Sequence, residues 1–350
     1  MRLRFFCQED ATPTFALTAN QFFLRTVRGT GTGLFHIYAL PGDVVLLGRY
    51  HAAGELPASQ QVTFARRLSG GRVVPAGQGF VQFALILPHR SAFFSDDPYH
   101  LAPFQVLNRY VRPVLQGLKA GGIEVFYPGR DLLTVRQQPL GWVSFTTADD
   151  GALLCEGGLA VNRDFGVLPY FLDRADPQGT IPSQFFAREQ VTSLERCLGS
   201  PVPFAQVVRL LRHGFVQQPG VEIVEQEISA AEQTAITALA ERQAAVTGLE
   251  GRTVRRDLPL QVTTATQLGV LHVRFSLTPE MTVAEIQFSG DLIANPEAID
   301  ALEQGLRGCP LERETLWRVV DQLFLQPQHY LLGVGRLEMV VETILKVRSQ

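Results

Sequence analysis

Arg66-Arg67-Leu68-Ser69-Gly70-Gly71-Arg72, followed after a short spacer by Phe80-Val81-Gln82-Phe83-Ala84-Leu85-Ile86-Leu87, is the stretch that decides the fold. The paired glycines let the backbone approach a neighbour closely, and the arginines beside them bring fixed positive charge. The run behind the loop is too short to cross a bilayer and lies between Gly79 and Pro88, which predicts a buried strand.

Working outward, Arg2 to Phe6 reads as a strand, and Thr12-Pro13 supplies an N-cap with proline at the first helical position for a helix to about Val27. Leu34 to Ala39 and Val44 to Leu47 read as two strands joined at Pro41-Gly42, a β-hairpin pattern. A helix over 101–119 contains Pro113, which predicts a kink. Ile123 to Phe126, Leu132 to Val135, Leu140 to Thr147 and Leu153 to Val161 follow as strands, then helices at Phe165 to Leu172, Pro203 to Val216 and Ala230 to Ala245, the last capped by Ser229. Strands at Leu260 to Thr264, Leu271 to Leu277 and Val283 to Ser289 precede helices at 296–307, 312–325 and 336–347. The pattern predicts an α+β protein: a mixed, largely antiparallel sheet flanked by helices, with a second, smaller α/β domain. A break at Gly248 to Gly251 divides a domain over 1–248 from one over 251–350.

The net charge of −3 leaves no basic surplus for a long polyanionic track, so nucleic acid is not an expected partner. Cys7, Cys155, Cys197 and Cys309 stand apart from one another, and His36, His51, His89 and His100 are dispersed, which suggests neither a disulfide framework nor a metal centre. Met1 to Asp10 turns acidic before a signal core forms, and no apolar run approaches a membrane span; a cytoplasmic protein is expected. Asp149-Asp150 and Ser95-Asp96-Asp97 sit in turn-like sequence, where acidic side chains ordinarily face solvent.

Several motifs in order resemble the lipoate-protein ligase family of the biotin/lipoate ligase superfamily. Val45-Leu46-Leu47-Gly48-Arg49 matches a strand ending in Gly-Arg, and Arg66, Arg67, Ser69, Gly70 and Gly71 match the adenylate-binding loop, with Gly79 and Phe83 in register behind it. Gly129-Arg130-Asp131-Leu132 is similar to the family's Gly-Arg-Asn-Asp-Leu, short by one residue. Gly157 to Asn162 is similar to its His-Gly strand ending in asparagine, and Val191-Thr192-Ser193-Leu194 to its Val-Thr-Asn-Leu. Gly290-Asp291 with Leu302, Leu306 and Gly308 resembles the accessory C-terminal domain.

The resemblance implies an enzyme that joins lipoate or octanoate to ATP, with Mg²⁺, and passes the acyl group from the adenylate to a lysine of a lipoyl carrier domain. It implies ligand contacts at Arg49, Arg67, Ser69, Gly70, Gly71, Arg72, Gly79, Asp131 and Gly157, and a catalytic lysine. Fixed cations and backbone N–H groups would face the carboxylate and the phosphate. The chain has two lysines, Lys119 and Lys346, and neither lies in a matching motif. Counting back from Asn162 without a gap places the family's lysine at Leu140, which cannot hydrogen-bond an acyl carbonyl. Losing one such donor typically costs about 3–4 kcal/mol in the transition state. Arg72 replaces the third glycine, Ala76 and Gly77 replace a histidine and an aspartate, and Glu156 replaces the histidine before Gly157.

One replacement for the lysine presents itself, Arg72 turned inward, against an arginine lying in water. Ser183, in Ile181-Pro182-Ser183-Gln184, stands as a catalytic candidate at the position of the cysteine of the related octanoyltransferases, but a serine lacks thiolate reactivity and no histidine is close in sequence to act as its base. Cys155 is read as a small apolar side chain and Trp142 as filling space near Leu140. Three functional expectations result: a protein that binds lipoate, octanoate or the adenylate without standard ligase activity, an active non-standard ligase or acyltransferase, and a structural partner of a genuine ligase with a filled cleft.

Overall fold

The computed structural model describes residues 1–51, 61–175, 190–247, 255 and 257–349. The chain opens with β1 (Arg2–Gln8), α1 (Pro13–Thr30), β2 (Gly33–Ala39) and β3 (Val44–Leu47), then β4 (Thr63–Arg66), β5 (Val74–Pro75) and β6 (Phe80–Leu87). Next come α2 (Pro103–Ala120), β7 (Val125–Phe126), β8 (Leu132–Val135), β9 (Gln138–Thr147), β10 (Leu153–Ala160), α3 (Val167–Ala175), α4 (Leu194–Leu198), α5 (Phe204–Val216), β11 (Glu222–Glu225) and α6 (Ala230–Thr247). The C-terminal part holds β12 (Leu260–Ala265), β13 (Val270–Leu277), β14 (Val283–Gly290), β15 (Ile293–Ala294), α7 (Pro296–Leu306), α8 (Arg313–Phe324), β16 (Leu331–Leu332) and α9 (Glu338–Leu345). The break at Gly248 to Gly251 lies outside the described residues.

Eight strands form one sheet in the order β11-β1-β2-β6-β10-β9-β8-β7. The β11–β1–β2 pairings are parallel and the rest antiparallel, so the sheet is mixed and mostly antiparallel. β6 and β10 are buried along their whole length, because both sheet faces are covered. One face packs Val81, Phe83, Leu85, Val143, Phe145 and Leu159 against α2 and α5. Those two helices touch closely: a Cβ on Gly214 would lie 1.8 Å from the Pro113 carbonyl oxygen, and one on Gly117 2.0 Å from that of Leu210. The helix runs on through Pro113, whose buried ring packs in this interface.

The opposite face carries α1 at one end and a small sheet, β4-β3-β5, at the other. Here the expected hairpin of β2 and β3 does not form. Both edges of β2 are already taken, by β1 and β6, and β3 pairs instead in parallel with β4 and antiparallel with β5. The N-cap was legible: Thr12 accepts the Phe15 N–H ahead of Pro13.

The C-terminal part is a three-stranded antiparallel sheet, β12-β13-β14, backed by α7, α8 and α9 around Val273, Phe275, Ile286, Leu302 and Val320. Its segment 290–294 crosses to the first part of the chain and sits on the glycine loop.

Candidate functional site

The arginine-glycine loop follows β4 and lies over the polar face of the large sheet. Gly48 permits this, since a Cβ there would fall 2.2 Å from the Gly71 carbonyl oxygen. The Arg49 N–H donates to the Ser69 carbonyl at 2.9 Å, and the Arg66 guanidinium donates to the carbonyls of Gly48, Arg49 and His51, which ties the Gly-Arg turn to the loop. Gly71 has φ +91°, a backbone state that disfavours side chains.

Arg67 is the hub. It is 2% exposed, its guanidinium stacks 4.6 Å above the Trp142 ring, and it donates to Ser69 Oγ and to the carbonyls of Leu46, Gly70 and Arg72. Burial pulls its pKa down to about 10, while Glu156, Asp131 and Asp291 hold the charge in place. The buried Glu156 carboxylate accepts the Ser69 N–H at 2.9 Å. Burial raises its pKa, against the pull of Arg67 and the Ser69 hydrogen bond. Arg72 donates to Asp131 at 2.7 Å with both side chains buried, and burial raises the Asp131 pKa against the attraction of Arg72.

The C-terminal segment completes the arrangement. Gly71 N–H donates to the Leu292 carbonyl at 2.8 Å, and a Cβ on Gly70 would lie 2.0 Å from that same oxygen. His51 Nε2 stands 3.1 Å from both the Gly71 carbonyl and the buried Asp291 carboxylate. Tyr50 reaches the Ala294 carbonyl at 2.9 Å. The guanidinium groups of Arg66, Arg67 and Arg72 thus share one buried region with the carboxylates of Glu156, Asp131 and Asp291.

The structure brings Arg49, Arg67, Ser69, Gly70, Gly71, Arg72 and Asp131 together in this region and leaves other expected residues apart. Gly79, at φ +90°, turns the chain into β6 against Asn162, where a Cβ would lie 2.5 Å from Asn162 Oδ1. Gly157 faces Phe83 and the helix-covered core, and its neighbour Gly158 faces the loop side. Leu140 also lies on the helix-covered face, fully buried with Leu133, Val143 and Leu159. The reason is a β-bulge. Leu133 pairs with Gly141 and Thr134 with Pro139, so Leu140 is the extra residue, and Pro139 and Trp142 occupy the loop-facing positions around it. The position that the gap-free count gives to the family's lysine thus faces away from the loop, while Lys119 is exposed at the end of α2 and Lys346 donates to Thr264 in the C-terminal part. Ser183 lies outside the described residues.

Cys155 points into the same apolar core as Leu140, where burial raises its thiol pKa far from a reactive range. Sequence reading missed Gln82, Ser144, His51 and Asp291. Gln82 had a signal, as a polar residue inside a fully buried strand; His51 and Asp291 had none, because their meeting depends on how the two parts of the chain pack.

Residues 12–216 match the sequence model of the lipoyl protein ligase A/B catalytic domain. The chain belongs to this family. Among solved structures, LipL1 of P. falciparum in complex with lipoate is similar at a TM-score of 0.71 and 14% identity, over 99% of this chain and all of that one. The bipartite lipoate protein ligase of Thermoplasma acidophilum, solved with its E2 lipoyl domain, matches at 0.57 and 17% identity over 72% of this chain and 98% of its own. Lipoate-protein ligase A bound with ATP matches at 0.54 and 16% identity over 69% and 94%. At these identities the likeness speaks for the fold. None of the curated proteins matches the sequence.

A lipoate ligase of this family would be expected to offer its glycine loop to ATP. Around this loop the N–H groups of Ser69 and Gly71 and the guanidinium groups of Arg67 and Arg72 donate to oxygens of the chain itself, while Arg66 Nε and Nη2 have no partner among the described residues. Among the described residues, no group of three or more His, Cys, Asp or Glu is placed to hold a metal ion, and no helix is long and apolar enough to cross a membrane.

Proposed function

We propose that this lipoate-ligase-family chain holds a medium-chain acyl group, of the lipoate or octanoate class, without activating it on ATP or passing it to a carrier lysine. One observation carries the reading: the loop's Ser69 N–H is bonded to Glu156, its Gly71 N–H to the Leu292 carbonyl and its Arg72 Nε–H to Asp131. Activation needs cations and N–H groups free to meet a substrate carboxylate and a phosphate. Releasing Arg67 or Arg72 would strand a buried carboxylate, which typically costs about 3–5 kcal/mol. The same pairing argues against an active ligase in which Arg72 stands in for the lysine, since its guanidinium already neutralises Asp131.

The partner reading draws on a different observation, the seating of residues 290–294 on Gly70 and Gly71. A loop covered in this way suits a subunit that meets a genuine ligase or a lipoyl carrier domain through its outer surface, and we place this second.

The test is titration calorimetry with lipoate, octanoate and a non-hydrolysable acyl-adenylate, run beside acid-dependent ATP–pyrophosphate exchange and mass analysis of a lipoyl domain. Binding of the free acids with no gain from the adenylate moiety, and no exchange, is the expected result. Exchange above background, or acylation of the lipoyl domain, would sink it. Absence of binding by any acid leaves the partner reading as the one to pursue.

A further inference from the structure

Across the loop-facing side of the sheet runs one register row: Tyr38 beside Gln82, Gln82 beside Gly158, Gly158 beside Trp142, and Trp142 beside Leu132. Gly158 has no side chain, and the tips on either side lean over it. A Cβ there would lie 2.3 Å from Gln82 Oε1 and 2.5 Å from Trp142 Nε1, so only glycine admits this arrangement. Gln82 is fully buried and Trp142 is 3% exposed. Among the described residues, neither amide atom of Gln82 nor the Trp142 N–H has a hydrogen-bond partner. Buried polar groups are almost always paired, and leaving three tips unpaired at one point is costly.

We infer that Gln82 and Trp142, converging over Gly158, form a recognition site for the neutral amide-type head group of an acyl ligand: a primary carboxamide, a lactam or a cyclic ureide. The inference rests on the reading that this side of the sheet receives an acyl group, and it names the chemistry of the ligand's far end. A carboxamide side chain both donates and accepts, so its complement presents a donor and an acceptor side by side. The indole N–H adds a second donor. A neutral head suits the spot, because the charges nearby are already matched, Arg67 stacking on the other part of Trp142 and Glu156 sitting two residues from Gly158 on β10. The surroundings, Tyr38, Leu47, Val74 and Phe80, belong to one apolar cluster with Trp142 and suit a hydrocarbon chain. Within the medium-chain acyl class proposed above, an acid whose far end carries such an amide would pair these tips and is expected to bind more tightly than lipoate or octanoate, which would leave them unpaired.

The probes are hexanamide, δ-valerolactam and 2-imidazolidinone, each against its hydrocarbon isostere, measured by calorimetry on the full chain and on Gln82→Leu and Trp142→Phe. Amide probes are expected to bind about tenfold or more tighter than the isosteres, and either substitution to erase the difference. Trp142→Phe keeps a ring under Arg67 and so serves where Gln82→Leu fails to fold. Equal affinity for amides and isosteres would overturn the inference, as would a crystal structure in which Gln82 Oε1 simply accepts the Trp142 N–H, or one water satisfies all three tips, with no amide binding. Because the probes carry no carboxylate, their binding is independent of activation. Pyrophosphate exchange would therefore refute the proposed function while leaving the head-group site standing.

Discussion

The two faces of the large sheet are made by the same strands and are equally buried, yet they differ in chemistry. Toward α2 and α5 the strands present Val81, Phe83, Leu85, Val143, Phe145 and Leu159. Toward the arginine-glycine loop the alternate residues are His36, Tyr38, Gln82, Ser144 and Glu156, all buried as well. The first face is held by apolar contact alone. On the second, Ser69 partners Glu156, Gly70 partners Ser144 and Asn20 partners His36, while Gln82 has no partner among the described residues. Burial therefore does not distinguish a core from a site in this molecule; hydrogen-bond accounting does.

The largest effect that would break this comparison is a lysine on the wrong face. Leu140→Lys would bury an ammonium among Leu133, Val143 and Leu159, at a cost of about 4–7 kcal/mol, enough to unfold a protein of ordinary stability. Pro139→Lys, also at a buried position but on the polar, loop-facing side, is expected to lose less, since the Pro139 carbonyl that accepts the Thr192 N–H is retained. Urea denaturation of the two variants decides it. Equal midpoints would show that the bulge does not separate the faces.

Next in size is Arg67→Met, which removes the loop's internal hydrogen bonds and strands Glu156, for a loss of about 3–5 kcal/mol. Arg67→Lys is expected to recover only part, because an ammonium lacks the planar fork that reaches Gly70 and Arg72 together. Full recovery in a denaturation curve would mean that charge alone matters here.

A pH profile sharpens the contrast further. His36 lies within hydrogen-bond distance of the side-chain amides of Asn20 and Gln8, stacks between Phe6 and Tyr38, and is held neutral by burial, which lowers its pKa to about 3. The unfolded chain takes up this proton near the ordinary 6.5, so the unfolded state binds more protons as pH falls. Stability is full above 6.5 and is lost toward about 3, by roughly 2–3 kcal/mol at pH 4.5. His36→Gln should flatten this slope in thermal unfolding. An unchanged slope would assign the acid sensitivity elsewhere.

The smallest effect is expected from Glu156→Gln. Its carboxyl pKa is raised by burial, so the charged form is penalised in the folded state, and the penalty grows as pH rises above the ordinary 4.5 toward the raised value. The glutamine still accepts the Ser69 N–H. A slight gain in Tm at neutral pH that vanishes below 4.5 is expected, and a loss at neutral pH would show that attraction to Arg67 outweighs burial.

Much of this architecture was legible in the chain itself. Alternation and length located β6 and β10, Thr12-Pro13 fixed the start of α1, and the paired glycines marked the loop, because these signals act over a few residues. The Pro41-Gly42 turn was legible as well, but not the strand partners on either side of it, which depend on competition from β1, β6, β4 and β5. That neither Lys119 nor Lys346 lies in a matching motif was legible. That Leu140 faces the helix-covered core was not, because a single extra residue in β9 turns a side chain to the opposite face of the sheet.

Sequence alone determined the family, the order of most strands and helices, and the presence of arginines beside a glycine loop, since local sterics and hydrophobic period are written residue by residue. Tertiary structure alone decided what those arginines do. Asp131, Glu156 and Asp291 come from distant parts of the chain, and only folding places them close enough for Coulomb attraction in a buried setting to commit the cations to the protein itself.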